Sequence, residues 1–194
     1  MDSADEFALA WNIVEREQVS EHGVFSVSEL LAQHITSQNQ KRFSVICCPD
    51  WVNVICLTPD DHLVLVRQFR PGVERLTLEI PGGVVDHGED PLAGAIRELR
   101  EETGYQAARW FALGTTLPNP ALQSNTCHHW LALDAAASAE RNPDPDEHIQ
   151  VLTCPLARVP ELVKKGEISH ALVLAAFACF ALHAGGWHRP SLDV

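Results

Sequence analysis

One predicted helix constrains the fold of this chain more than any other feature of its sequence. Asp90 followed by Pro91 is typical of a helix start, because Asp caps the first turn and Pro fits the first helical position. Gly104 indicates the helix end, since glycine readily adopts the left-handed conformation of a C-cap. We therefore predict a helix that runs from Pro91 to Thr103.

The predicted helix has an apolar stripe with an acidic face beside it. The stripe consists of five residues at helical spacing: Leu92, Ala95, Ile96, Leu99 and Thr103. Glu98, Glu101 and Glu102 fall outside the stripe and near one another, where a cation would relieve their mutual repulsion. Carboxylate oxygens suit Mg²⁺ or Mn²⁺ better than Zn²⁺, and Mg²⁺ commonly bridges carboxylates to phosphates. The alternative for an isolated stretch of this kind is a solvated acidic face.

The loop before the helix carries a second signal. It follows Pro81-Gly82-Gly83, where the backbone must bend, and it contains Glu89. Glu89 and Arg97 have opposite charge, and a pair between them would fasten the loop to the helix and orient the neighbouring carboxylates.

Residues 83–105 resemble the Nudix box, G-x5-E-x7-R-E-U-x-E-E-x-G-U, in which U is an apolar residue. Every fixed position matches, with Leu99 and Tyr105 in U positions, and Tyr105 is a mild departure. The resemblance implies an α/β (α+β) fold, a Nudix-type α/β/α sandwich around a mixed β-sheet with a small N-terminal β subdomain. It also implies hydrolysis of a nucleoside diphosphate linked to another group, with Mg²⁺ or Mn²⁺ as the cofactor.

The same resemblance implies roles for individual residues. Glu98 and Glu102 match direct metal ligands, and Glu101 matches a ligand or near-ligand. The backbone carbonyl of Gly82 would complete a metal site. Glu89 and Arg97 match the supporting pair described above.

The sequence around the box indicates the substrate. Residues 63–70 and 77–83 are similar to ADP-ribose pyrophosphatases and related nucleotide-sugar hydrolases, and Pro120 lies in the loop expected near the substrate. The resemblance implies conversion of ADP-ribose to AMP and ribose 5-phosphate. GDP-mannose or another nucleotide sugar remains an alternative, as does a nonenzymatic sensor that binds a nucleotide. All box carboxylates are present, which favours hydrolysis.

Hydrolysis needs a general base to take a proton from water. In the sugar-nucleotide branch this base often comes from an acidic loop after the box, which makes Glu147 our candidate, with Asp146 and Asp144 as alternatives. A simple solvated loop is the other interpretation. Arg70 follows a strand and could hold a phosphate or the base of the substrate. Glu79 either touches a ribose or pairs with an arginine.

Apolar patterning and turn residues predict the other elements. Residues 43–57 predict a strand, a turn and a second strand, which we expect to form a hairpin with a strand at 62–69. Further elements are predicted as follows: strands at 77–80, 110–115, 127–133 and 149–154, and helices at 159–165 and 170–183, the last capped by Ser169. Residues 1–45 show only weak strand signals near 11–14 and 24–31. We expect 1–45 to be a strand-rich, dimer-forming segment and 46–194 to be the Nudix domain.

Composition excludes several classes of partner. A net charge of −12 argues against nucleic acids and anionic membranes, which require basic surfaces. The N-terminus has no basic, apolar signal sequence, and the apolar stretch 171–182 is too short to span a bilayer. The six cysteines include no C-x-x-C pair, which predicts reduced thiols in a cytoplasmic protein. In Cys127-His128-His129 neighbouring side chains alternate across a strand, so a zinc site is not expected.

Overall fold

The computed structural model describes residues 9–137 and 148–190. In chain order the strands are β1 (Trp11–His22), β2 (Phe25–His34), β3 (Gln40–Cys47), β4 (Trp51–Cys56), β5 (His62–Arg70), β6 (Arg75–Glu79), β7 (Gly82–Val84), β8 (Tyr105–Gln106), β9 (Arg109–Thr116), β10 (Cys127–Leu133), β11 (Ala136–Ala137) and β12 (Gln150–Pro155). The helices in these ranges are α1 (Pro91–Thr103), α2 (Val159–Lys164) and α3 (Ala171–Ala184), with a 3-10 turn at Leu156–Arg158.

The chain divides into two compact units. One contains Met1–Pro49 and Leu117–Asn125, and the other contains Asp50–Thr116 and Thr126–Val194. The segment after β9 therefore joins the N-terminal strands rather than the strands that flank it in sequence. The expected division at residue 45 and the dimer-forming role of the first segment stay predictions.

The first unit is built on an antiparallel sheet in the order β1-β2-β3. Segment 117–125 attaches to β3, where the Ile46 N–H donates to the Leu122 carbonyl at 2.7 Å. Nearly every residue of β1 is exposed, including Trp11, Ile13 and Val19. Because β1 has no buried face, its sequence lacks the alternation that would mark its full length, and the expected strands are shorter than those observed.

The second unit contains a mixed sheet in the order β7-β4-β10-β9 and an antiparallel sheet in the order β12-β5-β6. The β4 and β10 strands are parallel, and their other neighbours in the mixed sheet are antiparallel. The expected hairpin between β4 and β5 is wrong. The Thr58 N–H does donate to the His62 carbonyl at 2.9 Å, but the two strands then enter different sheets. Each is largely buried and takes partner strands on both edges, so neither remains available to the other.

Alternate residues of the buried strands pack into two hydrophobic cores. From β4, Ile55 packs into a core with Phe177 of α3. Val54 faces the opposite way and packs into a core with Leu99 of α1. Helices thus cover both sides of the sheet layer, which confirms the predicted α/β/α sandwich around a mixed sheet.

All six cysteines lie within the described ranges and are free thiols. Within residues 9–137 and 148–190, no helix combines the length and the apolar character needed to cross a membrane.

Candidate active site

The ends of α1 are fixed by local hydrogen bonds. The Asp90 side chain accepts from the Leu92 N–H at 2.9 Å and from the Ala93 N–H at 3.3 Å. At the other end Gly104 has φ 74° and its N–H donates to the Arg100 carbonyl. Both ends of the helix are as predicted, so the three glutamates lie on its last two turns.

The buried side of α1 differs from the predicted apolar stripe. Ile96 is 44% exposed, whereas Glu102 is only 3% exposed. The Gly82 N–H donates to Glu102 Oε2 at 3.0 Å. Glu102 thus supplies an acceptor to the backbone N–H of half-buried Gly82, which an apolar side chain could not do.

Two glycines allow α1 and β4 to approach β7 closely. A Cβ atom at Gly83 would lie 2.4 Å from Glu98 Oε1, so the Glu98 carboxylate lies directly against this backbone. A Cβ atom at Gly82 would lie 2.2 Å from the Val52 carbonyl oxygen. The carboxylates of Glu98 and Glu102 are therefore both held against the Gly82-Gly83 backbone.

Arg97 connects most of the acidic residues on this face. Its guanidinium binds Glu89 through two hydrogen bonds, from Nε at 3.0 Å and from Nη2 at 2.9 Å. Its Nη1 donates to Glu98 at 2.9 Å and to Glu101 at 3.3 Å. The hydrogen bonds from Arg97 hold the pKa of Glu89 below its usual value, and those to Glu89 raise the pKa of Arg97. Glu89 also accepts from the Asp86 N–H, so this pair fastens the loop to the helix.

The donor chemistry of this face fits a divalent cation. Glu98 and Glu102 supply hard carboxylate oxygens beside the Gly82 backbone, and Glu101 is on the same helical turn. In the part of the chain that the structure describes, no three His, Cys, Asp or Glu side chains are arranged to hold a metal ion by themselves. Mg²⁺ usually keeps several waters or phosphate oxygens and binds one or two carboxylates, so two carboxylates meet its requirement.

A second polar cluster surrounds Glu79 at the end of β6. Arg70 donates to both Glu79 oxygens, at 2.9 and 2.8 Å, and the Thr77 hydroxyl donates at 2.6 Å. Burial opposes ionisation of Glu79, but the hydrogen bonds from Arg70 and Thr77 outweigh it and lower its pKa. Glu79 therefore pairs with an arginine, and its contact with a ribose stays a prediction. The fold also brings His170 to this cluster, which sequence spacing could not indicate.

The remaining candidate residues belong to the other unit or to the part of the chain outside the described ranges. Pro120 belongs to segment 117–125, in the unit of the N-terminal strands. Glu147, with its alternatives Asp146 and Asp144, lies outside the described residues. Cys127 and His129 are buried, whereas His128 pairs with Asp50 at 2.9 Å.

The sandwich and the glycine-flanked glutamate helix define a Nudix domain. A model of the NUDIX domain matches residues 49–177, and the chain belongs to this family of hydrolases. The ADP-ribose pyrophosphatase of Bacillus subtilis (strain 168) is 30% identical to it, covering 81% of this chain and 88% of that protein. The methanol dehydrogenase activator of Bacillus methanolicus is 29% identical, covering 78% and 82%.

A solved structure gives independent support for the fold. The crystal structure of an ADP compounds hydrolase matches with a TM-score of 0.79 at 24% identity, covering 90% of this chain and 94% of that chain.

Proposed function

We propose that this protein hydrolyses the pyrophosphate bond of a nucleoside diphosphate linked to a sugar, with ADP-ribose as substrate and AMP and ribose 5-phosphate as products. The observation that carries the proposal is the pair of carboxylates, Glu98 and Glu102, held against the Gly82-Gly83 backbone. The similarity to an ADP-ribose pyrophosphatase over most of both chains supports this substrate over GDP-mannose. The intact set of glutamates supports hydrolysis over nucleotide sensing.

The cofactor in this proposal is Mg²⁺ or Mn²⁺. Glu98 and Glu102 would hold it, together with Glu101 and the Gly82 carbonyl. When bound, such a cation neutralises pyrophosphate charge and makes water a better nucleophile. Arg97 orients Glu98 and Glu101 through its hydrogen bonds, and Glu89 fixes Arg97 in turn.

Other residues of the chain act on the substrate and on water. Arg70 is 41% exposed while its partner Glu79 is buried, so a fixed guanidinium reaches solvent and can bind a phosphate. We assign proton abstraction from water to Glu147, with Asp146 and Asp144 as alternatives, and assign Pro120 to the substrate loop. These assignments rest on the acidic loop and on the family resemblance.

We also propose a cytoplasmic homodimer formed through the N-terminal strands. Trp11, Ile13 and Val19 leave apolar surface exposed along β1, which a second copy would cover. The six free cysteines suit a reducing compartment. The net charge of −12 supports a small-molecule partner over nucleic acid or an anionic membrane.

A substrate panel tests the function. The full chain is incubated with Mg²⁺ and ADP-ribose, GDP-mannose or other nucleoside diphosphate sugars, and phosphate is measured after a coupled phosphatase step. We expect ADP-ribose to be turned over fastest. No turnover of any compound would contradict hydrolysis, and much faster turnover of GDP-mannose would contradict the ADP-ribose assignment.

Replacement of Glu102 by Gln tests the metal assignment. The amide oxygen of Gln can still accept from the Gly82 N–H, so the fold is expected to persist while the charge that holds the cation is lost. We expect activity to fall by about 100-fold or more with the melting temperature nearly unchanged. Glu161→Gln, on the exposed surface of α2, is the matched control. Activity of the Glu102 variant equal to that of the control would show that the assignment is wrong.

A further inference from the structure

Side chains from three separate parts of the chain contact the Glu79 carboxylate. Arg70 of β5 and Thr77 of β6 donate to it, and His170, directly before α3, approaches from a third direction. The carboxylate itself is almost completely buried, whereas the side chains of Arg70 and His170 are both about two-fifths exposed. The side chains of Arg70 and His170 therefore both extend from one buried carboxylate toward solvent.

His170 has an unsatisfied buried atom at this anchor. Its Nδ1 is inaccessible to solvent and has no hydrogen-bond partner within the described residues. The same atom lies 3.5 Å from Glu79 Oε2 but makes no hydrogen bond to it. A buried polar atom without a partner is costly, and a small movement of the ring would give it one.

The start of α3 is itself attached to the strand beside β7. Asn53 of β4 is buried, and its Nδ2 donates to the Leu172 carbonyl in the first turn of α3 at 3.1 Å. Asn53 also lies next to Gly82, its register partner in the sheet. The backbone of His170 is thus fixed relative to the end of β6 and to the candidate active site.

We propose that His170 is a positioning residue whose Nδ1–H donates to Glu79 when substrate is bound, and so fixes the carboxylate that orients Arg70 toward a substrate phosphate. This role rests on the proposed function. An ionised carboxylate has about four acceptor positions, and Arg70, Thr77 and His170 together supply four donors. Hydrogen bonds at active sites are often long without substrate and shorten in the complex.

Substitutions of His170 test the role. His170→Ala removes the donor, whereas His170→Asn keeps an N–H near the position of Nδ1. We expect His170→Ala to raise KM for ADP-ribose about tenfold, the value of a hydrogen bond to a charged group, with kcat and melting temperature little changed. His170→Asn should restore KM to near the wild-type value. His183→Ala is the matched control, since His183 is an exposed histidine of α3, the helix that follows His170.

A double-mutant cycle with Arg70→Gln tests whether His170 acts through Arg70. If it does, His170→Ala will change KM little once Arg70 has been replaced. Equal effects of His170→Ala in both backgrounds would indicate direct substrate contact and overturn the proposal. The proposal is also overturned if His170→Ala leaves KM unaffected. It is overturned as well if His170→Ala lowers kcat and the melting temperature and His170→Asn does not restore them. Absence of wild-type turnover would instead contradict the proposed function itself.

Discussion

At the scale of single residues, the absence of a side chain at position 83 decides where Glu98 can lie. The Glu98 carboxylate occupies the space that a Cβ atom at this position would need. Arg97 Nη1 donates to Oε1 of the same carboxylate at 2.9 Å. Gly83 is therefore required for the position of a carboxylate and not for an unusual backbone conformation.

Gly83→Ala should separate activity from stability. The atoms that the new methyl group meets belong to the end of the flexible Glu98 side chain, which can move away without disturbing the fold. We expect kcat to fall about 10- to 100-fold, as when the support of a metal ligand is lost, with the melting temperature nearly unchanged. Gly72→Ala is the control, because a Cβ atom there meets nothing within 4 Å. Equal kcat values for the two variants would contradict the expected role of Glu98.

At the scale of helices and strands, the features that could be predicted from the sequence are those determined by neighbouring residues. The ends of α1 were predictable because Asp90, Pro91 and Gly104 act within one turn of the helix. The buried face of α1 was not predictable, because the burial of Glu102 depends on the Gly82 N–H, which is distant in the sequence. The prediction that β4 pairs with β5 is wrong for the same reason. The turn at 58–62 closes locally, but the partner strands of β4 and β5 come from other parts of the chain.

Asp90 gives a stability prediction for α1. Asp90→Ala removes the acceptor for two N–H groups of the first turn and should lower the free energy of unfolding by about 1 kcal/mol. Asp90→Ser keeps an oxygen at the cap and should recover most of this loss. Chemical denaturation of both variants measures the difference. If Ser and Ala destabilise equally, capping is not the reason for Asp90.

At the scale of the whole molecule, the family and the general fold follow from the sequence, but contacts between distant elements do not. The Nudix box identifies the sandwich, and alternating residues of β4 and β10 explain why both of its faces are buried. Nothing in the sequence brings His170 to Glu79, or Asn53 to the start of α3. These contacts arise only when the sheets and helices assemble.

Burial of His129 in the folded protein makes the stability of the protein depend on pH. His129 lies on β10, 1% exposed, and its Nε2 is 2.8 Å from the Thr116 hydroxyl. Burial, with a smaller effect of His128, lowers the pKa of His129 from 6.5 to about 4. The folded protein therefore keeps His129 neutral at a pH where the unfolded chain binds a proton.

Stability should consequently decrease as the pH falls from 6.5 toward 4, and His129→Gln should reduce this dependence. The unfolded state binds more protons in this window, so the loss for one such group is about 2 kcal/mol between pH 7 and pH 5. The carboxyl groups of Glu79 and Glu89 have lowered pKa values, so they contribute mainly below this window. Free energies of unfolding at several pH values measure the effect, with His183→Gln as the exposed control. If His129→Gln retains the wild-type decrease, the protonation of other groups must cause it, because Gln carries no charge at any of these pH values.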